Sequence, residues 1–140
     1  MRKRILSVLL VLLMLFLLIL YSLPAEASEK YPVRKMRVTC YTYPEGSITA
    51  SGSEVREGII AAKREWMNAL VVLYDTDMNF IGYFEVKDTG FGIDWDGDGI
   101  GSIQEGTSID VFRSSLERCK EWVDAYGDFC YVQVIPDAEG

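Results

Sequence analysis

A mainly β fold, a small six-stranded barrel with one α-helix packed outside it and a signal peptide in front, is what this chain predicts. Three observations predict it. After residue 36, short runs rich in β-branched and aromatic residues recur, separated by Gly, Pro, Asn, Asp and Ser. One stretch alone, beyond Ser114, repeats apolar residues at helical spacing. The length behind the apolar N-terminus is enough for one core and too short for two.

The first element is a targeting segment. Arg2, Lys3 and Arg4 precede an almost wholly apolar stretch from Ile5 to Tyr21. Ala25-Glu26-Ala27 then offers small residues at the two positions a signal peptidase reads. Cleavage after Ala27 is expected, so 1–27 are signal and 28–35 a short polar linker with Pro32. The apolar run is also about the length of the shortest spanning helices, so an uncleaved anchor is the alternative. Either way the expected location is outside the cytoplasmic membrane, secreted or at the cell surface.

The domain is expected over 36–136. Met36 to Tyr43 alternates and reads as a strand. Pro44 to Glu57, with Gly46, Ser47, Ser51, Gly52 and Ser53, is a loop. Gly58 to Ala62 is a short strand, and Lys63 to Asn68 a turn or a helical turn. Ala69 to Tyr74 and Phe80 to Val86 form a hairpin around Asp75–Asn79. Lys87 to Thr107 is glycine-rich and acidic, and Ile109 to Phe112 is a strand. Ser114 with Glu117 spells a capping box. Leu116, Cys119, Trp122, Val123 and Tyr126 then make one apolar helical face, which Gly127 ends. Tyr131 to Ile135 is the sixth strand.

Charge and composition exclude several functions. Without Arg2, Lys3, Arg4 and Glu26, the 113 remaining residues carry 11 basic and 20 acidic side chains, a net charge of −9. Such a surface argues against nucleic acid and anionic membranes as partners. It suits a neutral glycan or a cation. There is no histidine, which removes Ser-His-Asp and Cys-His nucleophiles and His-ligated zinc. Chemistry must use carboxylates, hydroxyls, Lys or a hard metal ion. Cys40, Cys119 and Cys130 are an odd set. Cys119 with Cys130, Cys40 with Cys130, and three buried thiols all remain open.

One acidic segment spells a metal loop. Asp94, Asp96 and Asp98 take the first, third and fifth places of a twelve-residue calcium loop. Gly99 takes the sharp turn and Glu105 the last, bidentate place. Ile100 would offer its carbonyl, and Ser102 would act directly or through water. Carboxylates this close repel unless a cation lies among them. A structural Ca2+ is the expected cofactor. Flanking helices are not expected, and Gly101 stands where such loops usually carry an apolar residue.

The remaining motifs fall in a suggestive order. Tyr41-Thr42 ends the first strand; Thr49-Ala50-Ser51-Gly52, Gly58-Ile59-Ile60-Ala61, Asp88-Thr89-Gly90 and Ile109-Asp110-Val111-Phe112 follow. Together they resemble the 3D domain (named for three aspartates) of secreted bacterial cell-wall proteins. That family resembles the double-psi β-barrel of membrane-bound lytic transglycosylase A. The resemblance covers Met36 to Ile135 and implies the double-psi fold, peptidoglycan glycan strands as substrate, and a monomer. It implies Asp110 as general acid and Asp88 as its neighbour in the cleft. A protonating carboxyl must hold its proton near neutral pH, which an apolar setting and a second carboxylate both favour. Thr49, Ser51, Tyr41 and Lys63 are candidates to bind and orient the sugar, and Trp95 is an exposed stacking candidate.

Two departures stand out. Lys63 occupies the place of the first family aspartate, with Glu57 or Glu65 as candidate substitutes. Lys63 paired with Asp88 or Asp110 would lower its partner's pKa and oppose an acid role. The span from Asp88 to Asp110 is also about twice the family's, because the calcium-type loop 94–105 is inserted there. Three functions compete: an exported peptidoglycan-cleaving enzyme, a non-catalytic calcium-stabilised glycan-binding module, and a calcium-dependent surface interaction protein.

Overall fold

The computed structural model describes Met14 and residues 30–137, so the expected signal segment lies, Met14 apart, outside the described residues. The fold lies within the unit Tyr31–Gly140. Six strands close into a barrel: β1 (Val33–Tyr41), β2 (Ile59–Ala61), β3 (Leu70–Tyr74), β4 (Phe80–Asp88), β5 (Ser108–Phe112) and β6 (Phe129–Ile135). Around the barrel the order is β1-β5-β2-β4-β3-β6. Closure pairs every strand on both sides, which removes the exposed edges an open sheet would have.

Two of the pairings are parallel, β1 with β5 and β2 with β4. Parallel neighbours cannot be joined by a tight turn and need long crossovers. The loop 42–58 and the acidic segment after β4 supply chain for them. The β3–β4 hairpin is antiparallel as expected. Its turn is held by Asp75, whose carboxylate accepts from the Asp77 and Asn79 amides.

Alternation fills the interior. Met36 and Val38 on β1, Ile60 on β2, Val71 and Leu73 on β3, Val86 on β4, Ile109 and Val111 on β5 and Val132 on β6 point inward. Each fully buried aliphatic side chain contributes roughly 1.5–3 kcal/mol. β1 begins at Val33, three residues before the expected start, so the end of the expected linker belongs to the barrel. The turn after β2 is a single 3-10 turn, Arg64–Trp66.

Among the described residues of the domain, two helices appear where one was expected. α1 (Ser102–Glu105) is one turn inside the acidic insertion. α2 (Leu116–Tyr126) is the expected helix, capped one residue later than predicted. The Ser115 hydroxyl accepts from the Arg118 amide, so the Ser114–Glu117 box does not form. Ser114 instead donates its amide to Glu57. The apolar face is also narrower than its spacing suggested. Trp122 is buried against Phe84 and Tyr126, whereas Leu116 and Val123 are exposed. A barrel wall is covered by a thinner helical stripe than a helical bundle needs.

Candidate acid pair in the barrel wall

Strand register builds the site. Thr39 on β1 lies opposite Asp110 on β5, Asp110 opposite Ala61 on β2, and Ala61 opposite Asp88 on β4. One row across four strands thus carries two carboxylates with an alanine between them. Asp88 joins the row through a β-bulge: register shifts between Ile60 and Ala61, skipping Lys87. Bulges turn a side chain from one face of a sheet to the other. Without it Asp88 would share the inward phase of Phe84 and Val86.

Asp88 is buried and accepts three hydrogen bonds. Tyr41 Oη donates to Oδ2 at 3.2 Å, and the Ala50 and Thr89 amides donate to Oδ1, each at 3.0 Å. Ala50 belongs to the Thr49–Gly52 motif, so that loop is docked on Asp88. The loop is closed by a triangle of hydroxyls, Thr49, Ser51 and Ser53, with separations of 2.9–3.1 Å. Ser51 and Ser53 lie on its outer side.

Asp110 is half-buried and accepts the Thr39 hydroxyl on Oδ1. Burial pushes its carboxyl above the usual range, and the Thr39 hydrogen bond partly opposes this. Asp88 is not among the causes, so the apolar wall rather than a flanking carboxylate raises Asp110. Tyr41 lies within the field of both carboxylates. Its phenol is pushed up by burial first and then by Asp88, with Asp110 a smaller contributor. Tyr41 also packs edge-on against Tyr43 and Phe112.

Lys63 does not join this pair. Its ammonium lies 3.9 Å from Glu65, in the one ion pair recorded for it among the described residues. Of the two substitute acids, Glu57 is engaged with Arg113 at 2.5 Å and the Ser114 amide at 2.9 Å. Glu65 instead lines an open cleft of about 430 Å³ with Arg64, Thr89, Gly90 and Gln104. The cleft begins at the residue after Asp88.

The acidic loop is a separate constellation. Carboxylate oxygens of Asp94, Asp96 and Asp98 lie within 4.8 Å of one another. Each carboxylate also accepts a backbone amide: Asp94 from Gly97 and Gly99, Asp96 from Asp98, Asp98 from Ile100. Gly99 has φ +87°, the left-handed turn expected at that place. Ile100 is exposed. Ser102 and Glu105 stand apart from the three aspartates. The Ser102 hydroxyl is buried between Ser108 and the Ile93 amide, and Glu105 accepts from Thr107. The unexpected glycine at 101 has a plain cause. A Cβ there would come 1.8 Å from the Phe91 carbonyl. Trp95 is exposed, with the Arg37 guanidinium 5.0 Å from its ring.

No protein-family model matches the chain, and no curated protein matches it at a significant level.

Proposed function

We propose that the chain is an exported, peptidoglycan-active enzyme of the 3D type on a double-psi barrel, cleaving glycan strands by general-acid catalysis from Asp110. One observation carries the reading: the four-strand row sets Asp110 and Asp88 either side of Ala61, and burial holds Asp110 toward its protonated form. Two parallel pairings within a six-stranded barrel support the double-psi topology.

The chemistry follows from these groups. Asp110 Oδ1 accepts the Thr39 hydroxyl, so the acid's proton belongs on Oδ2. Oδ2 protonates the leaving glycosidic oxygen. The sugar's own 6-hydroxyl then closes on the anomeric carbon, so no activated water is required and one acid can suffice. That differs from the two-carboxylate scheme of most glycosidases. Asp88 is fixed by three donors, and its negative charge would stabilise the positive charge that develops on the sugar. Ser51 and Tyr41 would orient sugar hydroxyls. With Lys63 turned to Glu65, Asp110 takes part in no ion pair among the described residues.

Calcium belongs to the same proposal as a structural ion. The donor set, three carboxylates converging on one point, fits a hard cation. Asp94, Asp96 and Asp98 would hold it, ordering the segment that leads through Ser102 into β5 and Asp110.

The Thr39 hydrogen bond favours a second reading. A donor on Asp110 stabilises the carboxylate and works against the acid role. In that case the barrel is a calcium-stabilised glycan-binding module. Incubating the purified protein with peptidoglycan, with calcium or with chelator, and analysing released muropeptides by mass spectrometry separates the two. Anhydro-muropeptides establish the enzyme. Sedimentation with the wall and no release establishes the module.

A further inference from the structure

We propose that Cys40 and Cys119 form a disulfide that fastens α2 to the barrel wall beside the carboxylate pair. Cys40 lies on β1 and Cys119 in the first half of α2, and α2 packs on β1. The two thiols are near enough for each to act on the other's protonation, and both are partly buried. Cys130 sits elsewhere. It is fully buried in the barrel interior, opposite Met36, and neither other cysteine is among the groups acting on it. The geometry thus selects a pair distant in sequence over the local pair of Cys119 and Cys130.

The link would act on the candidate site. Cys40 stands between Thr39, which donates to Asp110, and Tyr41, which donates to Asp88. A covalent tie at Cys40 fixes the strand segment that sets both hydrogen bonds. Arg113 completes the arrangement: its guanidinium favours the thiolate at both sulfurs and lies 4.5 Å from the Trp122 ring on α2. Burial pushes the Cys40 thiol up to about 12, so the first attack falls to Cys119.

The oxidant is a low-molecular-weight or protein disulfide. The thiolate of Cys119, the less buried of the two, attacks one sulfur of the oxidant and releases the other as a thiol. Cys40 gives up its proton and attacks the Cys119 sulfur of that mixed disulfide, releasing the second oxidant thiol. Two protein thiols lose two electrons and two protons, and one oxidant disulfide becomes two thiols. The inference rests on the export proposed above only for its oxidising compartment.

The test treats the purified protein with oxidised glutathione or with dithiothreitol, then alkylates it in denaturant, maps the peptides by mass spectrometry and records melting curves. The expected result is one linked pair of peptides carrying Cys40 and Cys119, with Cys130 alone alkylated. The oxidised form should melt on the order of 10 °C higher than the reduced form. The difference should vanish in Cys119→Ser, a change near the surface, and persist in Cys130→Ala. Three alkylated thiols after oxidation, glutathione left on Cys119, or a link to Cys130 would each overturn the proposal. This outcome is independent of muropeptide release, so either idea can fail alone.

Discussion

Asp110 in the barrel wall and Asp94 in the acidic loop are the same residue type pushed in opposite directions. Burial raises Asp110. Backbone amides, chiefly that of Gly99, lower Asp94, which is partly exposed in its loop. One carboxyl sits among apolar strands with a single hydroxyl donor. The other is wrapped by the amides of its own turn. The same side chain is thus held toward its protonated form in one place and toward its charged form in the other, according to what surrounds it. A rigid wall can impose desolvation at a fixed place, whereas a loop supplies donors from its own backbone.

The strongest way to break that contrast is Asp110→Asn. Muropeptide release should fall by about 10²–10⁴-fold, the range for loss of a general acid. Unchanged release would remove Asp110 from the chemistry. The wall itself is tested by Ile109→Ala, next to Asp110 and fully buried. It should cost about 2–5 kcal/mol in denaturant unfolding. A smaller cost would mean the wall is too loose to impose desolvation.

Stability against pH should then carry opposite signs for the two regions. Asp110 has a folded pKa above its unfolded one, so the native state holds that proton more tightly. Its contribution is present at low pH and is lost as pH rises from the ordinary carboxylate range through the shifted value. Asp110→Asn should abolish that loss, giving a higher melting temperature than wild type at neutral pH. Asp94 is lowered, so its contribution is present above the ordinary range and lost as pH falls through the shifted value. Matching melting profiles for wild type and Asp110→Asn would contradict the burial argument.

Smaller effects sharpen the comparison. Tyr41→Phe removes one donor from Asp88 and should cost about 1 kcal/mol by chemical denaturation. Asp96→Asn in the exposed loop should change metal-free stability by within about 0.5 kcal/mol. It should nonetheless abolish terbium luminescence sensitised by Trp95, which lies inside the loop. Equal luminescence in wild type and variant would remove the aspartates as cation ligands.

Much of the barrel was legible because period-two alternation and turn residues are local signals. The six strands, the β3–β4 hairpin and the final helix all follow from them. The helix cap was misplaced by one residue because Ser114 and Ser115 are equivalent in sequence. Glu57, far away in the chain, claims the Ser114 amide and leaves Ser115 to cap. The one-turn helix α1 was missed because the metal-loop pattern covers the same residues. The width of the apolar face of α2 was overread because spacing cannot say how much of a helix the barrel covers.

By itself the sequence determined the fold class, the acid content, the absence of histidine chemistry and the three aspartates that converge in the loop, since all of these depend on residue identity and short spacing. Tertiary structure alone decided the rest. Register across four strands brought Asp110 and Asp88 into one row, and a bulge turned Asp88 onto it. Helix packing brought α2, which carries Cys119, onto β1, which carries Cys40. A nearer partner drew Lys63 to Glu65. Contacts between residues far apart in the chain follow from closure of the barrel, and no local pattern encodes which of several equivalent partners closure will bring together.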